Sequence, residues 1–189
     1  MRSTDDRRRQ GKGDSQRGVT VIELVITVLI GMVLAGLAAG AMFSAVASYR
    51  LSSAARSLAA SAQLAKIKAT ARDAQYRVVI DASARTYRIE YRARGSTSWV
   101  LDPGSADISL PPRVDFITAT VSSPPAGQSG GPDTDMTFNT RGLLVSGSGP
   151  INSRCFYLQG SSAQVLGVCS TLAGKTTVYR QSGTSWEVM

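Results

Sequence analysis

From Leu24 to Ala47 the chain runs without a charged residue, and a lone carboxylate, Glu23, stands directly before that run. About 20 apolar residues suffice for a helix to cross the hydrocarbon core of a bilayer, so the chain is organised around one helix too long and too apolar for a small soluble core. A carboxylate drawn into hydrocarbon is costly unless it is paired, and an acidic residue at such a place is a functional candidate by default. Glu23 lies five residues past Gly18. A cut between Gly18 and Val19 would create an α-ammonium four residues before Glu23, close to one helical turn away. Gly18 and Val19 are therefore the candidate processing junction, and Glu23 is the candidate pairing residue.

Two simpler readings compete. A secretory signal peptide has an apolar core of about 7 to 15 residues with its cleavage site after that core, whereas the run here is longer and the junction precedes it. A plain single-pass anchor accounts for the run but gives no role to Glu23 or to the Gly18 junction.

The chain's 21 Lys plus Arg against 13 Asp plus Glu give a net charge of +8. Residues 1–18 hold Arg2, Arg7, Arg8, Arg9, Lys12 and Arg17 against Asp5, Asp6 and Asp14, so +3 of that surplus sits in a leader and +5 remains beyond it. A basic cluster beside an apolar run stays in the cytoplasm by the positive-inside tendency, which places everything after Ala47 outside. With the leader and the apolar stem set aside, about one small domain's worth of chain remains to form a core. Cys155 and Cys169 are the only cysteines, with 13 residues between them. An even count in an exported chain favours a disulfide. Two buried free thiols on neighbouring strands remain the alternative, because spacing does not fix the required geometry.

Helical character continues past the apolar run. Tyr49 to Ala74 contains no Gly or Pro and is dominated by Ala, Leu, Arg, Lys and Gln, which are strong helix formers. One stripe is Leu51, Ala55, Leu58, Ala62, Ala65 and Ala69; a second, on roughly the opposite side, is Ala60, Leu64, Ile67, Ala71 and Ala74. Two apolar faces imply two partners. The expectation is that the bulkier second stripe covers the protein's own sheet and the alanine stripe meets a neighbouring subunit; a merely alanine-rich helix is the alternative.

After Ala74 the period changes. Short runs rich in β-branched and aromatic residues lie at 76–81, 86–93, 99–101, 114–121, 136–139, 143–146, 155–158, 165–169, 176–180 and 186–188, most of them separated by Gly, Pro, Ser or Asp. They read as a meander or sandwich of strands. Tyr87, Ile89 and Tyr91 alternate with Arg88, Glu90 and Arg92, as in a strand with one buried and one wet face. Residues 122–135, with Pro124, Pro125, Gly127, Gly130, Gly131 and Pro132, predict a mobile loop. The expected organisation is a basic leader 1–18, an apolar helix 19–47, its amphipathic continuation 48–74 and a β-rich head 75–189.

The segment Arg17-Gly18-Val19-Thr20-Val21-Ile22-Glu23-Leu24 resembles the class III signal of the type IV pilin and type II secretion pseudopilin superfamily. That signal is a basic leader, Gly at the cut, Glu at the fifth mature position, then an apolar helix. Val19 stands where the family usually has Phe, a position at which the peptidase is generally tolerant. The resemblance implies an α+β pilin-like fold, one long N-terminal helix on an antiparallel β-sheet or sandwich head. It also implies cleavage by prepilin peptidase, N-methylation of Val19, a filament register set by Glu23, and assembly with other pilins by an inner-membrane platform. The downstream half is similar to the GspH/FimT branch of minor pilins. Met136-Thr137-Phe138-Asn139-Thr140-Arg141-Gly142 is similar to that branch's Phe-x-x-x-Gly strand and turn. Leu172-Ala173-Gly174-Lys175-Thr176-Thr177-Val178-Tyr179-Arg180 sits where members often carry Gly-Arg-x-Arg. Some FimT-like pilins use that strand end to bind DNA, and here Lys175 replaces the first Arg, Thr177 the second, with Arg180 further along. A phosphate contact survives the change to Lys, whereas bidentate recognition does not.

An enzymatic reading finds little support. The chain has no histidine, the commonest general base and metal ligand. It has no Gly-x-Ser-x-Gly elbow or P-loop, and its acidic residues lack the spacing of a calcium loop. Neither a metal nor a cofactor is expected. Gly36 and Gly40 form a Gly-x-x-x-Gly step that permits close helix approach. The function expected is thus a structural pilin or pseudopilin subunit in the cytoplasmic membrane with its head outside, the alternatives being a DNA-binding minor pilin and a membrane-anchored β domain.

Overall fold

The structure, a computed structural model, describes residues 19–131, 133–147, 149–161 and 164–189. The leader with Gly18, and Pro132 of the predicted loop, lie outside the described residues. One long helix, α1 (Val21–Ala71), precedes twelve described strands. Thr20 starts it. Its carbonyl accepts from the Glu23 and Leu24 amides at 3.1 and 3.2 Å, and its hydroxyl oxygen accepts from the Glu23 amide at 3.3 Å. Thr20-x-x-Glu23 is the sequence of a capping box. Inside the apolar stretch the Thr27 hydroxyl is satisfied by the carbonyls of Glu23 and Leu24, at 2.7 and 2.9 Å. The helix ends three residues before the expected boundary. Arg72 still donates to the Lys68 carbonyl at 3.0 Å, and Asp73 turns left-handed at φ 46°, so residues 72–74 lead into the first strand.

Residues 42–189 form one compact unit, and the described residues before them, 19–41, belong to another. The strands of the head are β1 (Gln75–Asp81), β2 (Thr86–Arg92), β3 (Val100–Leu101), β4 (Ile108–Ser109), β5 (Val114–Phe116) and β6 (Asp135–Phe138). They continue with β7 (Leu144–Ser146), β8 (Gly149–Pro150), β9 (Ser153–Gly160), β10 (Val165–Thr171), β11 (Thr176–Ser182) and β12 (Ser185–Val188). They make two antiparallel sheets. The first has the order β3-β2-β1-β6-β7-β8, with β4 also pairing β2; the second has the order β12-β11-β10-β9-β5. β4 and β8 are two-residue strands, too short to leave an alternation in the sequence, and Pro150 sits where an edge tolerates it. The expected run 114–121 ends as a strand at Phe116. Ile117 and Val121 turn instead onto the second sheet's outer face.

One core joins the helix to the inner faces of both sheets. Leu51, Ala55, Leu58, Ala62, Ala65 and Ala69 are each at most 1 % exposed and pack with Tyr76, Val78, Phe138, Phe156, Leu158 and Val168. The assignment of the two helix stripes is therefore reversed. The alanine stripe faces the protein's own sheets, and Leu64 and Ile67 stand 43 % and 60 % exposed beside exposed Ala60 and Ala71. Small side chains let the helix sink close against two converging sheets, which a Leu and Ile ridge would hold off. Ala74, counted with the bulky stripe, is buried because it lies past the end of the helix.

The wet face expected on β2 is also not uniformly wet. Tyr87 and Ile89 are buried as the alternation requires, but Glu90 is buried too, held by Arg77 at 2.6 Å and Arg88 at 2.7 Å. Burial opposes its ionisation, and hydrogen bonds from Arg88 and Arg77 outweigh that and hold the carboxyl below the usual range. Arg77 and Arg92 both lie over the ring of Trp99, at 4.2 and 4.7 Å.

Candidate functional site

At the head of α1, Val19 precedes the first helical turn and is 70 % exposed, while Glu23 lies in that turn. The carboxylate sits at the positive end of the helix dipole, where it stabilises the helix. Glu23 thus also has a local place beside Thr20, whose carbonyl and hydroxyl oxygens accept from its amide, in a Thr-x-x-Glu pattern present in the sequence. The side chains from Val21, at 83 %, to Leu37, at 73 %, are exposed, and α1 is long and apolar enough to cross a membrane.

The two segments that resemble the GspH/FimT branch meet around one helical side chain. Gly142 closes the turn between β6 and β7 at φ 75°, and Gly174 closes the turn between β10 and β11 at φ 69°. Asn139 shapes the first turn, its side-chain oxygen accepting from the amides of Arg141 and Leu143 at 2.9 and 3.0 Å. Lys66 lies over both glycines and donates its ammonium to the Ala173 carbonyl at 2.9 Å. A Cβ on Gly174 would lie 2.5 Å from the Gly142 carbonyl oxygen and 2.8 Å from Lys66 Cδ. Both glycines are therefore required by backbone conformation and close approach, and together the turns fasten the helix to both sheets.

A second fastening was not visible in the sequence. Asp102, fully buried, accepts from Lys68 Nζ at 2.5 Å and Arg72 Nη1 at 3.4 Å. The sequence Leu101-Asp102-Pro103-Gly104 reads only as a turn. Between the sheets, Arg154 reaches Asp135 at 2.5 Å, and Asp133 accepts from the Cys155 amide at 2.8 Å.

Cys155 and Cys169 are directly opposite on β9 and β10 and form a disulfide, with Cα atoms 4.1 Å apart. The bridge belongs to a small apolar cluster on the outer face of the second sheet, with Tyr157, Ile117, Val121 and Trp186. The segment expected as a loop carries no strand among its described residues before Asp135, the first residue of β6. Its backbone is tied to that cluster. Tyr157 donates its hydroxyl to the Ser129 carbonyl at 2.6 Å, Trp186 donates its indole N–H to the Ser123 carbonyl at 2.6 Å, and the Val121 amide bonds the Gly130 carbonyl at 2.8 Å. Burial, aided by the nearby Asp133 carboxylate, pushes the Tyr157 phenol up to about 12.

Lys175 and Arg180 are not brought together. Lys175 is exposed in the turn before β11, whereas Arg180 lies opposite Leu166 and Glu187 near the other end of that strand. At a strand rise of about 3.4 Å per residue they stand up to roughly 17 Å apart. Arg180 keeps its Nε buried without a partner, and the uncharged Thr177 lies between the two cations. Among the described residues no group of three His, Cys, Asp or Glu is placed to hold a metal ion.

The described residues thus combine a helix whose first half is apolar and exposed with an antiparallel β head packed on the residues from Leu51 onward. Residues 14–39 match the model of the prokaryotic N-terminal methylation motif. Among solved structures, the chain is similar to the type IV minor pilin FimU of Pseudomonas aeruginosa, with 19 % identity over 74 % of this chain and 94 % of that one and a TM-score of 0.48. It is also similar to the minor pseudopilin EpsH from the type 2 secretion system of Vibrio cholerae, with 12 % identity over 74 % of this chain and 96 % of that one and a TM-score of 0.39. No curated protein matches it in sequence.

Proposed function

We propose that this chain is a minor pilin or pseudopilin of the GspH/FimT kind, a structural subunit of a type II secretion pseudopilus or type IV pilus. Prepilin peptidase cuts between Gly18 and Val19, and Val19 becomes the N-methylated terminus. Residues 19–47 hold the subunit in the cytoplasmic membrane with its head outside until an inner-membrane platform draws it into a filament with other pilins. The observation that carries this reading is the methylation motif over residues 14–39, set directly against a helix whose apolar side chains are exposed.

In physical terms, the apolar helix exchanges lipid for the helices of neighbouring subunits, one apolar environment for another. Glu23 pairs with the terminal ammonium of an adjacent subunit, and a misplaced subunit leaves a desolvated charge unmatched. The exposed ridge of Leu64 and Ile67 gives the continuation of α1 a second apolar contact once the alanine stripe is occupied.

Mass spectrometry of the membrane-extracted protein tests the reading. A chain that starts at Val19 and carries one added methyl group is expected; recovery of full-length protein alone beside a working prepilin peptidase overturns it and leaves a membrane-anchored β domain. A DNA-uptake role would require Lys175 and Arg180 to act as separate phosphate contacts, and a salt titration of DNA binding by the full chain tests that alternative.

A further inference from the structure

Where α1 enters the head it borders a groove of about 530 Å³. One wall is helical, with Met42, Phe43, Val46 and Arg50; the other includes Pro112 and Arg113 at the tip of the loop between β4 and β5. Met42 and Phe43 are 70 % and 76 % exposed, and Arg50 follows Val46 by about one helical turn. The groove therefore combines an apolar floor with two guanidinium groups at its head side.

Those two cations have, among the described residues, no carboxylate to neutralise them, unlike half of the arginines from Arg50 onward. Arg72, Arg77, Arg85, Arg88, Arg94 and Arg154 all reach carboxylates. Among the described residues neither Arg50 nor Arg113 has such a partner. Arg113 is also held where it is. Its backbone is left-handed at φ 67°, the Val114 amide closes a turn onto the Pro111 carbonyl at 3.2 Å, and Arg85 grips the carbonyls of Pro111 at 3.1 Å and Val114 at 2.8 Å. A long side chain on a left-handed backbone is unfavourable and persists only where its surroundings over-determine it.

Resting on the membrane anchoring proposed above, we propose that this groove binds one anionic phospholipid, its phosphate held by Arg50 and Arg113 and an acyl chain lying along Met42, Phe43 and Val46. Guanidinium forks match phosphate oxygens in two-point contacts. The apolar run ends at Ala47 and Arg50 is the first charge after it, so Arg50 falls within a turn of the end of that run, at headgroup depth. A lipid seated there ties the base of the head to the bilayer surface, and extraction of the subunit has to release it.

The test uses the full processed chain, extracted from membranes in a mild detergent and titrated with phosphatidylglycerol under native mass spectrometry. Arg50→Gln/Arg113→Gln should weaken the one-lipid complex on the order of 20-fold, each cation contributing roughly a five-fold factor. Arg141→Gln, at an exposed site on the far turn, should leave it unchanged. Inorganic phosphate should fail to displace the lipid, since it lacks the acyl contact; full displacement would mean a free-anion site and overturn the lipid assignment. Equal lipid binding by the double variant and wild type, in a chain that resists carbonate extraction from membranes, overturns the lipid site alone. Release of the chain by carbonate overturns both the site and the anchoring.

Discussion

The carbonyl oxygen of Gly142 stands 2.5 Å from the place a Cβ on Gly174 would occupy, so two turns from different sheets meet with no room for a side chain at one of them. Gly174→Ala combines a left-handed backbone with a backbone clash and should cost roughly 2 to 4 kcal/mol of head stability. Gly142→Ala meets only Thr70 and Lys66 side chains, at 3.1 and 3.2 Å, and should cost about 1 to 2 kcal/mol. Denaturant unfolding followed by near-ultraviolet circular dichroism ranks the two, and a larger loss at Gly142 would contradict the close approach.

Glu23 has two candidate roles, and one substitution separates them. Gln at the third helical position can serve a capping box as Glu does, but it carries no charge. If Glu23 pairs with a neighbouring ammonium, Glu23→Gln and Glu23→Leu should both insert into the membrane and both enter filaments poorly, because an unmatched buried charge costs about 3 to 5 kcal/mol where the site is dry. Subunit recovered in sheared filaments or crosslinked pilin complexes, normalised to its membrane level, is the measurement. Normal incorporation of Glu23→Gln would reduce Glu23 to a helix cap.

Tyr157 predicts alkaline weakening of the head. Its folded value is pushed up to about 12, above the unfolded value of about 10. The unfolded chain therefore loses its phenolic proton first. Stability is full below about pH 10 and falls between about pH 10 and 12, by on the order of 2 kcal/mol. Tyr157→Phe should flatten that part of the profile. An unchanged slope in the variant would assign the alkaline loss to other groups.

Asp102→Ala should be among the most damaging single changes outside the apolar core. It leaves Lys68, 19 % exposed, without its carboxylate, and breaking such a pair costs about 3 kcal/mol when desolvation is substantial. Lys68→Met in the Asp102→Ala background should recover part of that loss, because no unpaired ammonium then remains. No recovery would point to a backbone role for Asp102, whose carbonyl also accepts from Ser105.

Reduction of the Cys155–Cys169 bridge should lower stability by up to about 3 kcal/mol, the chain-entropy limit for a loop of this size. Full alkylation of both thiols without prior reduction would show that the mature protein does not carry it.

Long uniform patterns were legible in the sequence. The apolar helix and the switch to a two-residue period after Ala74 both leave a local trace, whereas the cysteines offered only an even count and their opposition across β9 and β10 is a property of the fold. Assignment of the helix stripes was not, because periodicity reveals two apolar faces without saying which is covered, and side-chain bulk pointed to the wrong one. Ala62 and Ala65 are buried because their smallness permits close approach, which depends on both sheets and not on the helix. Asp102 was missed because its partners, Lys68 and Arg72, lie on another element some thirty residues away. The same holds for Gly142 and Gly174. Each reads as an ordinary turn residue, and only the third dimension brings their turns together.

The Lys66 contact with Ala173 spans 107 residues of sequence, which has a temporal meaning for a chain made from its N-terminus. The amphipathic half of the helix has its apolar stripe and its lysine ready early, but the β10–β11 turn that completes the clasp emerges about a hundred residues later. Closure of such long-range contacts is slow compared with local hairpin formation. If the apolar helix enters the bilayer during synthesis, the head is drawn across as an unfinished chain. It locks only after the β10–β11 turn has arrived, so a truncation before β11 should yield a tethered but unfolded product.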